Sequence, residues 1–258
     1  MKIDPSKLKQ LRKSDVLIVS FPRSGNTWTR VLIADVLLQL RGHDTSKRAP
    51  VLPIHPDIVI PDLHVHDVSD AGMEATGLHY RLFKSHNPAQ LRSFKCIYLF
   101  RKPLDTLVSF YHFHLRFEHL HDRATAGSEA FCTEHRVEYL DHLRAGMAAK
   151  KKNRDRVLFT AYESLHAQPL PTLRMMCDFL GIEAPDDVLH RSIENHVFEK
   201  HHKAAVVGPN NERFFRYGKP GGWAQDLSQE FYDKLSPQLT PVYEKALALM
   251  DAYDAFRS

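Results

Sequence analysis

The sequence predicts an α/β fold: a three-layer fold with a central, mostly parallel sheet and a P-loop-like, phosphate-binding strand–loop–helix. Three observations predict it. Short apolar, β-branched runs alternate with longer segments of helical periodicity. The first run, Val16–Phe21, is apolar almost throughout, as a strand buried on both faces of a parallel sheet must be. A polar turn with a single glycine, Pro22–Thr27, then leads directly into a strongly apolar helix, which makes the first half of a βαβ unit.

The elements follow in order. After the strand at 16–21, the segment Trp28–Leu40 carries apolar residues at 28, 32, 36 and 40 with a second row at 33 and 37, a helix that packs on a sheet over most of its surface. Further strands are expected at Arg81–Lys84, Lys95–Phe100 and Arg156–Ala161. A helix starts at Pro103, a residue favoured at the first helical position, and Leu104, Leu107, Val108, Tyr111 and Leu115 share one of its faces. Helices are also expected across Ser128–Lys150, Leu170–Leu180, Pro185–Glu194, Ser228–Leu235 and Pro237–Tyr253, with Gly181 as a C-terminal stop. Arg41–Asp70, rich in Pro, Asp and His, and Glu199–Gly222, polar with four glycines and two prolines, read as long surface segments over the sheet.

Composition narrows the class. The 258 residues are read as one domain, 1–258. With 43% hydrophobic and 26% charged residues, whole-chain disorder, collagen-like repeats and coiled-coil fibres are excluded. The net charge of +4 suits an anionic ligand and does not call for nucleic acid. Cys96, Cys132 and Cys177 are far apart and form no CxxC pair, so neither a disulfide framework nor a zinc ribbon is indicated, and the setting is expected to be the reducing cytoplasm. Met1–Asp15 is polar with five Lys/Arg and lacks the apolar middle of a signal peptide. No run approaches the ~18–20 apolar residues of a membrane span, so a soluble protein is expected.

Four segments carry chemistry. In Phe21–Trp28, FPRSGNTW, Gly25 permits a tight turn, the helix start offers unpaired amides, and Arg23, Ser24, Asn26 and Thr27 add side-chain donors. That pocket suits a phosphate, although GxxxxGK[ST] is absent; taken alone the segment is equally a plain strand-to-helix turn. Arg101 follows a strand, where ligands of open α/β sheets bind, and can make a forked contact with a second phosphate; Ser109 on the next helix can donate a hydroxyl. Lys84 and His86, two apart on a strand end, face one cleft. An imidazole beside an ammonium resists protonation and can serve as a base near pH 7. Phe214–Trp223 adds Arg216 and Lys219 among glycines that allow close backbone approach.

Together these segments resemble the sulfotransferase family, most closely its cytosolic branch. The family's first motif, approximately YPKSGTTW, is FPRSGNTW here. Its RxPxDxxxSxY(Y/F)HF segment is matched by Arg101, Pro103, Asp105, Ser109, Tyr111, His112 and Phe113, its K(T/S)H by Lys84–His86, and its late RKGxxGDW by Arg216, Gly218, Gly221 and Trp223. The matches run in family order from residue 16 to about 230. The resemblance implies transfer of a sulfuryl group from 3′-phosphoadenosine 5′-phosphosulfate (PAPS) to an acceptor hydroxyl or amine, with no metal. It implies that Arg23, Ser24, Gly25, Asn26, Thr27 and Trp28 hold the 5′-phosphosulfate. Arg101, Ser109, Arg216, Tyr217 and Gly218 would hold the 3′-phosphate, and Trp28, Tyr162 and Phe198 would meet the adenine. His86 would be the base of an in-line attack, and Lys84, Arg23 and the helix N-terminus would stabilise the developing charge.

Three departures from the pattern are visible: Arg23 for a lysine, Tyr217 for a lysine, and Gly222 for an aspartate. Arg23 is permanently charged, so it stabilises the leaving phosphate without readily donating a proton. The paired histidines His64/His66, His112/His114, His119/His121 and His201/His202 lack HExxH spacing and a partner cysteine, so no metal site is expected; acceptor contact or surface placement is the reading. Lys150–Arg156 reads as a solvated basic helix end, and Phe110, Phe113, Phe117 and Phe131 as core or acceptor wall. The acceptor stays open among small molecules, glycans and lipid alcohols, with Arg41–Tyr80 and His114–Ala130 as the segments that shape its pocket; a homodimer is compatible with the sequence. Two alternatives stand beside the transferase: an ATP-dependent small-molecule kinase, whose lysine and magnesium signatures are not visible, and a catalytically inactive nucleotide-binding module.

Overall fold

The computed structural model describes residues 3–48, 53–197, 200 and 220–251. Four strands, β1 (Val16–Ser20), β2 (Leu82–Ser85), β3 (Lys95–Phe100) and β4 (Val157–Ala161), form a sheet in the order β2-β1-β3-β4, with every pairing parallel. Val16 lies opposite both Leu82 and Lys95, and Cys96 opposite Val157. Parallel neighbours require long crossovers, and helices supply them. The larger ones are α1 (Asn26–Leu40), α2 (Pro103–Arg116), α3 (Ser128–Lys152), α4 (Pro169–Leu180), α5 (Asp186–Asn195) and α6 (Gln229–Leu247).

Alternation along the strands divides the core into two layers. Leu17, Val19, Phe83, Tyr98, Phe100 and Phe159 face the side covered by α2, α3 and α6. Ile18, Leu82, Ile97, Leu99 and Leu158 face α1, α4 and α5. Both faces are covered, which is why the strands read as continuous apolar runs. On the first side α3 comes so close to β3 that a Cβ on Gly146 would lie 2.5 Å from the Tyr98 ring. All three cysteines are free and buried, and burial raises each thiol to about 12.

Both sheet edges are covered. At β4, Asp251 donates its backbone N–H to Phe159 O (2.9 Å) and accepts from Phe159 N (2.9 Å). At β2, the stretch around Asp62 forms an isolated parallel bridge: Lys84 N donates to Pro61 O (2.8 Å) and Leu63 N to Lys84 O (3.0 Å). These contacts satisfy edge groups that would otherwise be open to pairing.

The structure departs from the sequence reading in four places. Lys150 is not a solvated helix end; it is buried, 2.7 Å from Asp251, and donates to Arg154 O and Val157 O. The two predicted C-terminal helices are one, because Pro237 and Pro241 lie on the exposed face of α6, where the carbonyls they leave unbonded meet water, while Leu235, Leu239 and Tyr243 anchor the opposite face. Arg41–Asp70 is not surface throughout, since Val59, Ile60 and Leu63 are core residues. The second strand runs from Leu82 rather than Arg81, although the Arg81 carbonyl still accepts from Val16 N (2.9 Å); the Arg81 Nε and Nη2 donate to the two carboxylate oxygens of fully buried Asp15 at 2.9 and 2.6 Å. That forked pair ties the entry of β1 to the entry of β2. Replacing Arg81 with Met strands the Asp15 carboxylate in the interior, and urea titration is expected to show a loss of about 3–5 kcal/mol; a loss under ~1 kcal/mol would show that the pair is dispensable.

Candidate active site

The β1–α1 loop is the floor of the site. Gly25 caps α1 at φ 96°, and a Cβ there would lie 2.5 Å from Tyr162 Cδ2, so both the turn and the close approach require glycine. Arg23 also adopts a left-handed backbone, φ 68°, the one non-glycine to do so among the described residues. The first-turn amides of α1 have no helical partner by construction and are presented at this loop.

Charge gathers on the same loop. The Arg101 guanidinium lies 4.5 Å over the Tyr162 ring and its Nη1 donates to Arg23 O (3.3 Å). Arg101 is held in turn through its own carbonyl, which accepts from Tyr139 Oη. Arg23 Nε donates to Ser109 Oγ (3.2 Å), and its guanidinium lies 5.4 Å over the Phe113 ring. Trp28 packs edge-on to Tyr162 with centroids 5.8 Å apart, and its Nε1 donates to His196 O (2.9 Å). Ser24 Oγ and Arg101 Nε are buried and lack a hydrogen-bond partner among the described residues, the condition that the oxygens of an anion would relieve. Asn26 is different from its expected donor role: its Nδ2 donates inward to Ile18 O (3.0 Å) and Ser20 Oγ (3.1 Å), so its side chain braces the loop from beneath.

His86 sits at the end of β2 and is held at three points. Its Nδ1 is 2.7 Å from Ser20 O, and because a carbonyl only accepts, Nδ1 carries the proton and Nε2 keeps a free lone pair. Its backbone N–H donates to His64 Nε2 (2.9 Å), and its carbonyl accepts from His142 Nε2 (3.2 Å). His142 is fixed from behind by Tyr98 Oη, 2.8 Å from its Nδ1, and burial lowers it to about 4, which keeps it neutral. Burial, and then the Lys84 charge, hold His86 well below 6.5. Lys84 is itself depressed by burial, against the opposing effect of Asp62, whose carboxylate accepts from its Nζ.

The structure therefore brings Arg23, Ser24, Gly25, Asn26, Thr27, Trp28, Arg101, Ser109, Tyr162, Lys84 and His86 around the carboxyl ends of β1, β2 and β3. Phe198, Arg216, Tyr217 and Gly218 lie outside the described residues. Asp62, His142 and Tyr139 carried no role in the sequence reading, and His64, read as acceptor contact or surface placement, accepts the His86 N–H instead. Asp105 stood in a motif without a role; its carboxylate accepts from Gly221 N (2.7 Å) and Trp223 N (3.1 Å) and anchors the late loop. His112 Nε2 lies 2.6 Å from Asp226 Oδ1, on that same loop. Among the described residues no His, Cys, Asp and Glu side chains group in threes that could hold a metal ion, and no helix is long and apolar enough to cross a membrane.

A strand–loop–helix at a switch point between parallel strands, with an imidazole beside it, is the place where nucleotide-binding α/β proteins hold their ligands. The sulfotransferase-domain profile matches residues 13–251, and the chain belongs to the sulfotransferase family. It is 27% identical to cytosolic sulfotransferase 16 of Arabidopsis thaliana, over 86% of this chain and 73% of that protein. It is 25% identical to flavonol 3-sulfotransferase of Flaveria bidentis, over 86% of this chain and 79% of that protein. In fold it is similar to mouse sulfotransferase SULT7A1 complexed with PAP, with a TM-score of 0.67 at 20% identity over 95% and 90% of the two chains. It is likewise similar to a retinol dehydratase in complex with androsterone and PAP, with a TM-score of 0.68 at 21% identity over 94% and 83%. The protein is a sulfotransferase, and the kinase alternative is not favoured.

The Gly25 geometry makes a prediction. Gly25→Ala forces the Cβ into the Tyr162 ring and penalises the left-handed turn, so calorimetry with adenosine 3′,5′-bisphosphate is expected to show affinity at least ~10-fold weaker, from strain of order 1–3 kcal/mol. Unchanged affinity would show that the loop does not need this turn to bind.

Proposed function

We propose that the chain, acting as a single domain in the cytoplasm, transfers a sulfuryl group from PAPS to the hydroxyl or amine of a small diffusible acceptor, with His86 as general base. The observation that carries this reading is the His86 Nδ1 contact with Ser20 O: it orients the base from the end of the strand that leads into the phosphate-binding loop and leaves Nε2 to take a proton. PAPS supplies the sulfuryl group when bound. The α1 amides with Ser24, Gly25 and Thr27 would hold its 5′ end, with Asn26 shaping that loop. Arg101 and Ser109, with Arg216, Tyr217 and Gly218, would hold the 3′-phosphate. Trp28, Tyr162 and Phe198 would meet the adenine.

His86 Nε2 accepts the acceptor proton during in-line attack. Lys84 and Arg23 offset charge on the transferring group and on the bridging oxygen, the same preorganised electrostatics that phosphoryl transfer uses. Arg23 does so as a fixed cation. A small hydroxylated acceptor is supported by the named flavonol sulfotransferase, and a cytoplasmic setting by the names of the cytosolic relatives.

Labelled PAPS with a panel of phenols, alcohols and amines tests the activity, and His86→Ala tests the base. The variant is expected to lose ~10²-fold or more in kcat while binding adenosine 3′,5′-bisphosphate normally; equal turnover rejects His86. A second expectation concerns pH. His86 must be neutral to work, and its depressed value keeps it neutral as pH falls, so the acid limb of kcat/KM is expected below 6.5. An acid limb at or above 6.5 contradicts a base held below its ordinary value.

A further inference from the structure

The short stretch docked on the open edge of β2 supplies two side chains to the residues just assigned to chemistry. Asp62 lies directly opposite Lys84 in the bridge, and its Oδ2 accepts from Lys84 Nζ. The two side chains are only 10% and 14% exposed. Two residues on, His64 Nε2 accepts the His86 N–H, and the two rings stack with centroids 5.6 Å apart. Asp62 ties these together, since its Oδ1 accepts from His64 N (3.0 Å) and its own N–H donates to His66 Nδ1 (3.3 Å).

The Asp62 carboxylate sits at the strand end that carries the base. Its oxygens are divided between the ammonium of Lys84 and the backbone of the segment that grips His86.

We propose that Asp62 is a positioning residue for sulfuryl transfer: its carboxylate keeps the Lys84 ammonium charged and aimed beside His86, and sets the His64 contact that fixes the base. The proposal rests on the sulfuryl-transfer reading and adds to it a residue that touches neither donor nor acceptor.

The electrostatic surroundings of Lys84 support this role. Burial disfavours its charge, and so does Arg30; Asp62 and Asp57 oppose them. Arg30 is itself paired with Asp57 and donates to Ile60 O (2.9 Å), so Asp57 is already engaged. His86 and His64 complete the surroundings, and both are held neutral by burial first. Asp62 is thus the carboxylate in direct contact with Lys84. Burial pushes Asp62 up, but the Lys84 charge and the hydrogen bonds from Lys84 and His64 outweigh it, and its value falls below the ordinary one. With Asn at this position Lys84 loses its counter-charge and gives up its proton at lower pH.

The test pairs a titration with a mutant cycle. In protein labelled with 13Cε-lysine, the Lys84 signal, assigned by its disappearance in Lys84→Met, is expected to titrate at least one pH unit lower in Asp62→Asn than in wild type. In the sulfation assay Asp62→Asn is expected to lower kcat ~10-fold or more, as misplaced catalytic groups do, with the alkaline limb moved to lower pH and bisphosphate affinity within about 2-fold of wild type. In the Lys84→Met background the same substitution is expected to cost no further activity. An unmoved Lys84 midpoint, or losses that multiply in the double variant, overturns the proposal. If Asp62→Asn does not fold, Asp62→Glu serves: it keeps the charge, so the midpoint is expected to stay while kcat falls about tenfold, and unchanged kcat overturns the proposal. The titration reads the Asp62–Lys84 coupling without turnover, so it stands even if no acceptor is sulfated, an outcome that removes the sulfuryl-transfer reading instead.

Discussion

A backbone carbonyl at the end of β1 sets the orientation and tautomer of His86. Ser20 O accepts the Nδ1 proton of His86, one step beyond the point where Val19 and Ser85 stand side by side in neighbouring parallel strands. The sheet order puts the last residues of β1 and β2 next to each other, and a strand-end carbonyl needs a donor when it is shielded from water. The imidazole meets that need, and its tautomer is then decided. Everything nearby is consistent with this one contact. His64 and His142 grip the backbone of His86 on either side, and Asn26 braces Ser20 from beneath.

The electrostatics follow from burial. A charged imidazole is disfavoured by the interior and by Lys84, so His86 stays neutral. The same interior would also discharge Lys84, and a carboxylate on the bordering segment opposes it. Around the loop, Arg101 is held by the Arg23 carbonyl and the Tyr162 ring, and Arg23 is in contact with the Ser109 hydroxyl and the Phe113 ring.

Much of the architecture was legible because local signals and tertiary demands agreed. Continuous apolar runs marked strands covered on both faces, and Pro103 and Gly181 marked helix boundaries where the structure has them. The loop motif was legible for the same reason: Gly25 takes the left-handed turn into α1 and leaves room for the Tyr162 ring. What escaped were contacts made across long separations. Nothing in the local sequence says that Asp62 will lie against Lys84, that His142 will meet the His86 carbonyl, or that Lys150 will be buried against Asp251. Two prolines inside α6 misled the reading because their effect depends on which face they occupy, and that is decided by packing. Asn26 misled it in the opposite way, since a polar residue in a binding loop can serve the loop rather than the ligand.

The most direct measurement of the central claim is a crystal structure with adenosine 3′,5′-bisphosphate and a phenol bound together. The account predicts one nucleotide spanning the cleft, its 5′-phosphate on the amides after Gly25 and its 3′-phosphate on Arg101 and Ser109, with His86 Nε2 within hydrogen-bond reach of the phenol oxygen. A nucleotide that touches only one of those two groups, or an imidazole that turns Nδ1 toward the phenol, would contradict it.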